Sequence, residues 1–219
     1  MADAHLPVTN FVFDMGNVLM RFDGHTFARA FTRSEEDARL LDDALFNRAE
    51  WALLDAGAIS YDTMKRVAAA SLPERLHPAL DACFEGWPAL SEPLPEVNEL
   101  AIRLKRQGYG LYLLSNAGLR IEGQLGHMPA APYLDGRMVS AEERLMKPDV
   151  AIYRLFCTRF GLDPATCLFI DDNENNCAGA RLAGMRACRF TGDAAELAAA
   201  IEALEPAAAA PRVARDDSH

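Results

Sequence analysis

The sequence lacks most of the features that mark a secreted, membrane-bound or nucleic-acid-binding protein. Positive charge is in deficit: 22 Lys and Arg face 32 Asp and Glu, a formal charge of −10. Surfaces for nucleic acid or anionic membranes need a basic patch, so neither partner is expected. A small anion is still admissible, because one local site can be positive on an acidic protein. No run approaches the ~18 apolar residues of a membrane span. Met1 to Asn10 shows no basic stretch followed by an apolar run, so no signal peptide is expected. Cysteine is scarce and odd in number: Cys83, Cys157, Cys167, Cys177 and Cys188 form no CxxC pair. That argues against a disulfide framework or a zinc site and fits reduced, mostly buried thiols in a cytoplasmic protein. There is no HxxxH pair and no internal repeat, and nothing in the sequence sets an oligomeric state.

What is present is enough apolar residue, half of the chain, to bury a core. Four short apolar runs read as strands: Phe11–Phe13, Gly110–Leu114, Cys167–Ile170 and Met185–Phe190. Such runs suit a parallel sheet covered on both faces. Helical patterns lie between them. Leu94, Val97, Leu100 and Leu104 keep helical spacing before Gly108, and Ile152, Leu155, Phe156 and Phe160 do so before Gly161. Asn176 to Ala183 reads as a third helix closed by Gly184, and Asp193 as the cap of a last one ending at Leu204. The alternation predicts an α/β fold, a doubly wound parallel sheet with right-handed crossovers.

Residues 20–93 break this rhythm. They hold helical segments (Phe27–Leu45, Tyr61–Ala70, Pro78–Phe84) and no convincing strand. The expected organisation is a core of residues 1–19 and 94–204, a helical cap of residues 20–93 inserted after the first strand, and a disordered Ala- and Pro-rich tail from 205 to 219.

Ligands of open α/β sheets bind beyond the carboxyl ends of the strands. Asp14-Met15-Gly16-Asn17-Val18 follows the first strand, Ser115-Asn116 the second, and Asp171-Asp172 the third, while Lys147-Pro148 precedes the Ile152 helix. Carboxylates from neighbouring strands repel one another, and a hard cation with oxygen ligands relieves this; magnesium is the usual choice beside phosphate. An Asp can act as the nucleophile of phosphoryl transfer, with a lysine and a hydroxyl balancing charge on the transferred oxygens.

Four segments, FVFDMGNVL (11–19), LYLLSN (111–116), MKP (146–148) and FIDDNENN (169–176), resemble in order and spacing the motifs of the haloacid dehalogenase superfamily. The resemblance reaches to about Leu204 and implies a hydrolase with a cap between the first motif and the second strand. It implies Asp14 as nucleophile and magnesium ligand, the Gly16 carbonyl and Asp172 as further ligands, and Asp171 as a support or water-bridged ligand. Ser115 and the N–H of Asn116 would hold phosphate, and Lys147 would bridge it to Asp14. Most phosphatases of the family carry a second Asp two residues after the nucleophile; here that position is Gly16. The DxGNV form resembles the branch that includes bacterial α-D-glucose-1-phosphate phosphatase. The expected activity is therefore magnesium-dependent hydrolysis of a small phosphorylated metabolite, with a sugar phosphate as the leading candidate.

Other readings stand beside this one. A 2-haloacid dehalogenase also lacks the second Asp but needs no metal, so Asp171-Asp172 discriminates against it. An inactive phosphate-binding protein is favoured only by Gly16, and a phosphomutase needs a proton shuttle at that position. Trp51, Trp87 and the phenylalanines of the insert read as core residues. Arg21, His25 and Arg29 read as a solvated face, and Glu174 as a surface charge.

Overall fold

A computed structural model describes residues 6–204; the expected tail lies outside them. Five strands, β1 (Asn10–Phe13), β2 (Gly110–Ser115), β3 (Gly136–Val139), β4 (Cys167–Asp171) and β5 (Arg186–Arg189), form one parallel sheet in the order β3-β2-β1-β4-β5. Among the described residues the helices are α1 (Gly24–Ala30), α2 (Glu35–Leu45), α3 (Ala49–Asp55), α4 (Tyr61–Ala70), α5 (His77–Gly86), α6 (Pro95–Arg106), α7 (Glu122–Leu125), α8 (Ser140–Glu143), α9 (Val150–Phe160), α10 (Glu174–Leu182) and α11 (Ala194–Leu204), with short 3-10 turns between some of them.

The apolar strands are explained by burial on both faces. Side chains alternate along a strand. Phe11, Phe13, Leu111, Leu113, Leu168 and Ile170 point to one face, where they meet Val97, Leu100 and Leu104 of α6 and Leu197 and Ile201 of α11. Val12, Leu114 and Phe169 point to the other, against Ile152, Tyr153 and Phe156 of α9 and Ala180 of α10. The sheet is thus covered on both sides, as the doubly wound reading requires.

Three elements differ from the sequence expectation. The single helix expected over Phe27–Leu45 is two, α1 and α2, because Ser34 adopts an extended conformation and its side chain accepts the N–H of Asp37 as a helix cap. Helix α3 was not anticipated. Strand β3 was also not anticipated: it is an edge strand whose first two residues, Gly136 and Arg137, are only half-buried, so it carries no apolar run. Asp193 caps α11 as expected, accepting the N–H groups of Ala195 and Glu196 at 2.8 and 3.1 Å.

Helices α1 to α5 enclose a separate apolar cluster that includes Phe27, Leu41, Leu45, Met64, Leu80 and Phe84. The chain leaves the sheet region and returns to it at one place. Met20 bridges Pro93 in antiparallel fashion, the Arg21 N–H donates to Glu92 O at 2.7 Å, and the Leu94 N–H donates to Leu19 O at 2.9 Å. The five cysteines are free, and all but Cys188 are buried.

Candidate active site

Strand register sets the site. Phe13 is level with Leu113 of β2 and Ile170 of β4, so the next residue of each strand, Asp14, Leu114 and Asp171, falls at the same carboxyl edge. The Asp14 N–H donates to Ile170 O at 2.8 Å, which fixes its height beside Asp171. Asp14, Gly16, Ser115, Asn116 and Asp172 all line one cleft of about 230 Å³. Lys147 and Asp171 stand behind it, with side chains fully shielded from solvent. Every site residue marked in the sequence therefore lies in this region, five on the cleft wall and two beneath it.

The resemblance assigns Lys147 a bridge from phosphate to Asp14. In the structure its ammonium donates to Asp14 Oδ1 at 2.8 Å on one side and to Asp171 Oδ2 at 2.7 Å on the other. Asp171 is held in turn by the Asn173 N–H at 2.9 Å and by the Asn176 amide, which reaches both carboxylate oxygens at 3.0 and 3.1 Å. Asn116 fixes the lysine from its main chain. The Asn116 amide donates to Lys147 O, and its Oδ1 accepts the Lys147 N–H, both at 2.9 Å. These side-chain roles of Asn116 and Asn176 were not read from the sequence. Both asparagines lie inside motifs already singled out, but their partners are set by the fold.

Charge at this site is unbalanced. Ligand atoms of Asp14, Asp171 and Asp172 lie within 4.8 Å of one another, with one lysine among them. Burial pushes the Asp14 carboxyl up to about 7; Lys147 opposes that rise and Asp171 adds to it. Burial and the neighbouring Asp171 also raise Asp172. Burial alone would lower Lys147, but the facing Asp14 and Asp171 outweigh it and hold the ammonium charged. One ammonium thus fails to compensate the carboxylates, and the cleft-facing pair keeps an unmet demand for positive charge. The donors are hard oxygens: the carboxylates of Asp14 and Asp172 and the adjacent Gly16 carbonyl. That donor set fits a magnesium ion.

The cleft has a second half that comes from the insert. Phe22, Trp51, Leu54, Phe84, Trp87 and Pro88 line it. Trp51 and Trp87 were expected in the core; they are half-buried, with ring centroids 5.7 Å apart, and show a face to the cleft. Arg21, His25 and Arg29 lie away from the cleft, and His25 and Arg29 pair with Glu35 at 3.0 and 3.8 Å. Glu174 is exposed and pairs with Arg181 at 2.6 Å.

One acidic residue of the cleft escaped sequence reading. Asp55, the last residue of α3, lines the wall and accepts the N–H of Gly118, just past the Ser115-Asn116 turn. Burial pushes its carboxyl up to about 8, with the Asp14 charge adding to the rise. The insert is docked here on the sheet side: Ser140 Oγ donates to Asp55 O at 2.5 Å, and the Arg120 N–H donates to the Tyr61 hydroxyl at 3.0 Å.

This geometry agrees with the comparisons to known proteins. Residues 8–184 match the haloacid dehalogenase-like hydrolase family, and the chain belongs to it. It is an enzyme of the hydrolase class. It is similar to phosphatase MT3486 of Mycobacterium tuberculosis, 26% identical over 200 residues that cover 83% of this chain and 87% of the relative. It is also similar to an (S)-2-haloacid dehalogenase of a Pseudomonas species, 31% identical over 97 residues, 44% of this chain and 42% of that one. A solved mutant of a HAD-family enzyme from Bacteroides thetaiotaomicron, in complex with magnesium and inorganic phosphate, superposes with a TM-score of 0.68. It is 20% identical, covers 87% of this chain and 98% of its own, and shows the shared fold.

Proposed function

We propose that the chain is a magnesium-dependent phosphomonoesterase acting on a small phosphorylated metabolite through an aspartyl-phosphate on Asp14. The observation that carries this reading is the cleft-facing pair Asp14 and Asp172, left short of positive charge by a single lysine. A metal-free dehalogenase has no use for Asp172 at that position. The phosphatase name of the mycobacterial relative and the magnesium and phosphate of the Bacteroides enzyme support the same choice.

Asp14, Asp172 and the Gly16 carbonyl would hold the ion, which supplies positive charge to the oxygens of the transferred phosphoryl group. Asp171 acts through Lys147 and Asn176, since both its oxygens are taken by protein donors. Asp14 Oδ1 accepts Lys147 and the Met15 N–H, which fixes the carboxylate that attacks phosphorus. The phosphorus–ester oxygen bond breaks, its electron pair stays on that oxygen, and the alcohol leaves once it gains a proton. Water then attacks phosphorus, releasing inorganic phosphate and restoring the Asp14 carboxylate. Ser115 and the Asn116 N–H hold the phosphoryl oxygens. The proton has no source at Gly16. Asp55 is the one further carboxyl on the cleft wall among the described residues, and its raised titration keeps a proton on it near neutral pH.

The test is a panel of phosphate esters, and 2-chloropropionate, offered to the purified protein with magnesium and after chelation. Magnesium-dependent phosphate release is expected. Halide release without metal overturns the reading in favour of the dehalogenase.

A further inference from the structure

Resting on the phosphomonoesterase reading, we infer that the leaving group is a flat, apolar, π-rich alcohol rather than a sugar. The cleft joins two unlike halves. One end holds the carboxylates, Ser115 and Asn116; the other is a wall of Phe22, Trp51, Leu54, Phe84, Trp87 and Pro88. The rings of that wall are locked to one another: Phe22 and Trp87 meet edge to face at 5.5 Å, and Trp51 packs on Phe46 at 4.8 Å. A preformed aromatic wall offers much contact area and loses little side-chain entropy on binding.

The polar groups along the same wall each already hold a protein partner. Gln124 donates to Ser91 Oγ at 3.3 Å. Arg120 pairs with Glu85 at 2.8 Å and lies 4.4 Å above the Tyr61 ring. The Tyr61 hydroxyl accepts the Arg120 N–H at 3.0 Å. Asn17 Oδ1 accepts the Phe22 N–H at 2.9 Å. The hydroxyls of a sugar would give up water against the apolar wall and compete with these protein partners, at a cost in affinity. The carboxylate or ammonium of an amino-acid ester would face an Arg120 that already holds Glu85.

The experiment compares two primary alkyl esters of similar leaving-group basicity, 2-phenylethyl phosphate and glucose 6-phosphate, on the magnesium-loaded protein. We expect kcat/KM at least ~10-fold higher for the phenylethyl ester, and Trp51→Ala should bring that ratio toward one. A glucose 6-phosphate rate equal to or above that of the phenylethyl ester overturns the inference. A second readout needs no variant and no turnover. Trp51 and Trp87 are the chain's two tryptophans, and both line the cleft, so their fluorescence reports its occupancy directly. 2-Phenylethylphosphonate should change it saturably, and glucose 6-phosphonate should do so only at ~10-fold higher concentration or above. Hydrolysis of neither ester, nor of acetyl phosphate, overturns the phosphatase reading, and the phosphonate titration then decides the apolar ligand by itself. Indifference of the fluorescence to both phosphonates overturns the inference whatever the rates.

Discussion

Replacing Lys147 with Met should do more damage to the fold without metal than to the fold with it. The side chain is fully shielded and bonded to Asp14 and Asp171 at 2.8 and 2.7 Å. Met keeps most of the volume but removes the only ammonium between two carboxylates. Breaking a buried ion pair from one side costs about 3–5 kcal/mol, because the partner charge is left uncompensated. For a chain of this size each kcal/mol lowers the melting temperature by about 2–4 °C, so a drop of about 6–20 °C is expected in chelator at pH 8. The loss should shrink at low pH. Asp14 already titrates near 7, above its ordinary value of 3.8, and without the lysine it should titrate higher still. Between the unfolded and folded values the native state binds the extra proton, so stability falls as pH rises through that window, by up to about 1.4 kcal/mol per unit. At pH 5 the variant should therefore lie closer to wild type than at pH 8. Magnesium should restore part of the loss, and Asp171→Asn on top of Lys147→Met should restore more, because one of the facing charges is gone. The assay is thermal unfolding by circular dichroism at the two pH values, with and without magnesium. A drop under about 2 °C at pH 8 in chelator, or no recovery on adding Asp171→Asn, would refute the reasoning.

Asp14→Asn should leave the circular dichroism spectrum unchanged and abolish phosphate release, since an amide is a far poorer nucleophile; residual turnover within about tenfold of wild type rules out the covalent route. Asp172→Asn should weaken magnesium binding by about tenfold or more in calorimetry. In wild type the affinity should fall as pH drops from about 7 toward 5, because protons compete with the ion for Asp14 and the raised Asp172; a pH-independent affinity contradicts the assignment. Asp55→Asn should make kcat/KM depend more steeply on leaving-group basicity across aryl and alkyl phosphates, and Gly16→Asp in the same background should flatten it again. An unchanged slope in Asp55→Asn removes that residue as the proton source.

The parts of the fold that could be read in the sequence were those whose burial leaves a local trace. β1, β2 and β4 are covered on both faces and so read as apolar runs, and the chemistry follows each at its carboxyl end. β3 left no such trace because it is an edge strand with Arg137 among its four residues. The break between α1 and α2 did carry a signal, Ser34 followed by Glu35, Glu36 and Asp37, a cap with an acidic first turn. Asp14, Ser115, Asp171 and Asp172 were legible because each sits at a strand end. Asp55 was not, because an Asp closing a short helix of the insert looks like any surface charge. Its burial exists only once α3 lies against Gly118, a residue 63 positions away.

The paired passage at Met20 and Pro93 bears on how such an enzyme can change over generations. Because the outgoing and returning strands of chain touch, the carboxyl edge of β1 and the start of α6 keep their places whatever is threaded between them. Shortening, lengthening or replacing that helical block would leave the sheet's register untouched, much as a domain can be spliced into a tight surface turn. The aromatic wall and Asp55 lie inside the block, while Asp14, Ser115, Lys147 and Asp172 lie outside it. Ancestral recombination at those two neighbouring points could therefore redirect the enzyme to a new metabolite in one step, with the nucleophile, the metal ligands and the phosphate clamp inherited intact and only the proton donor to be supplied anew.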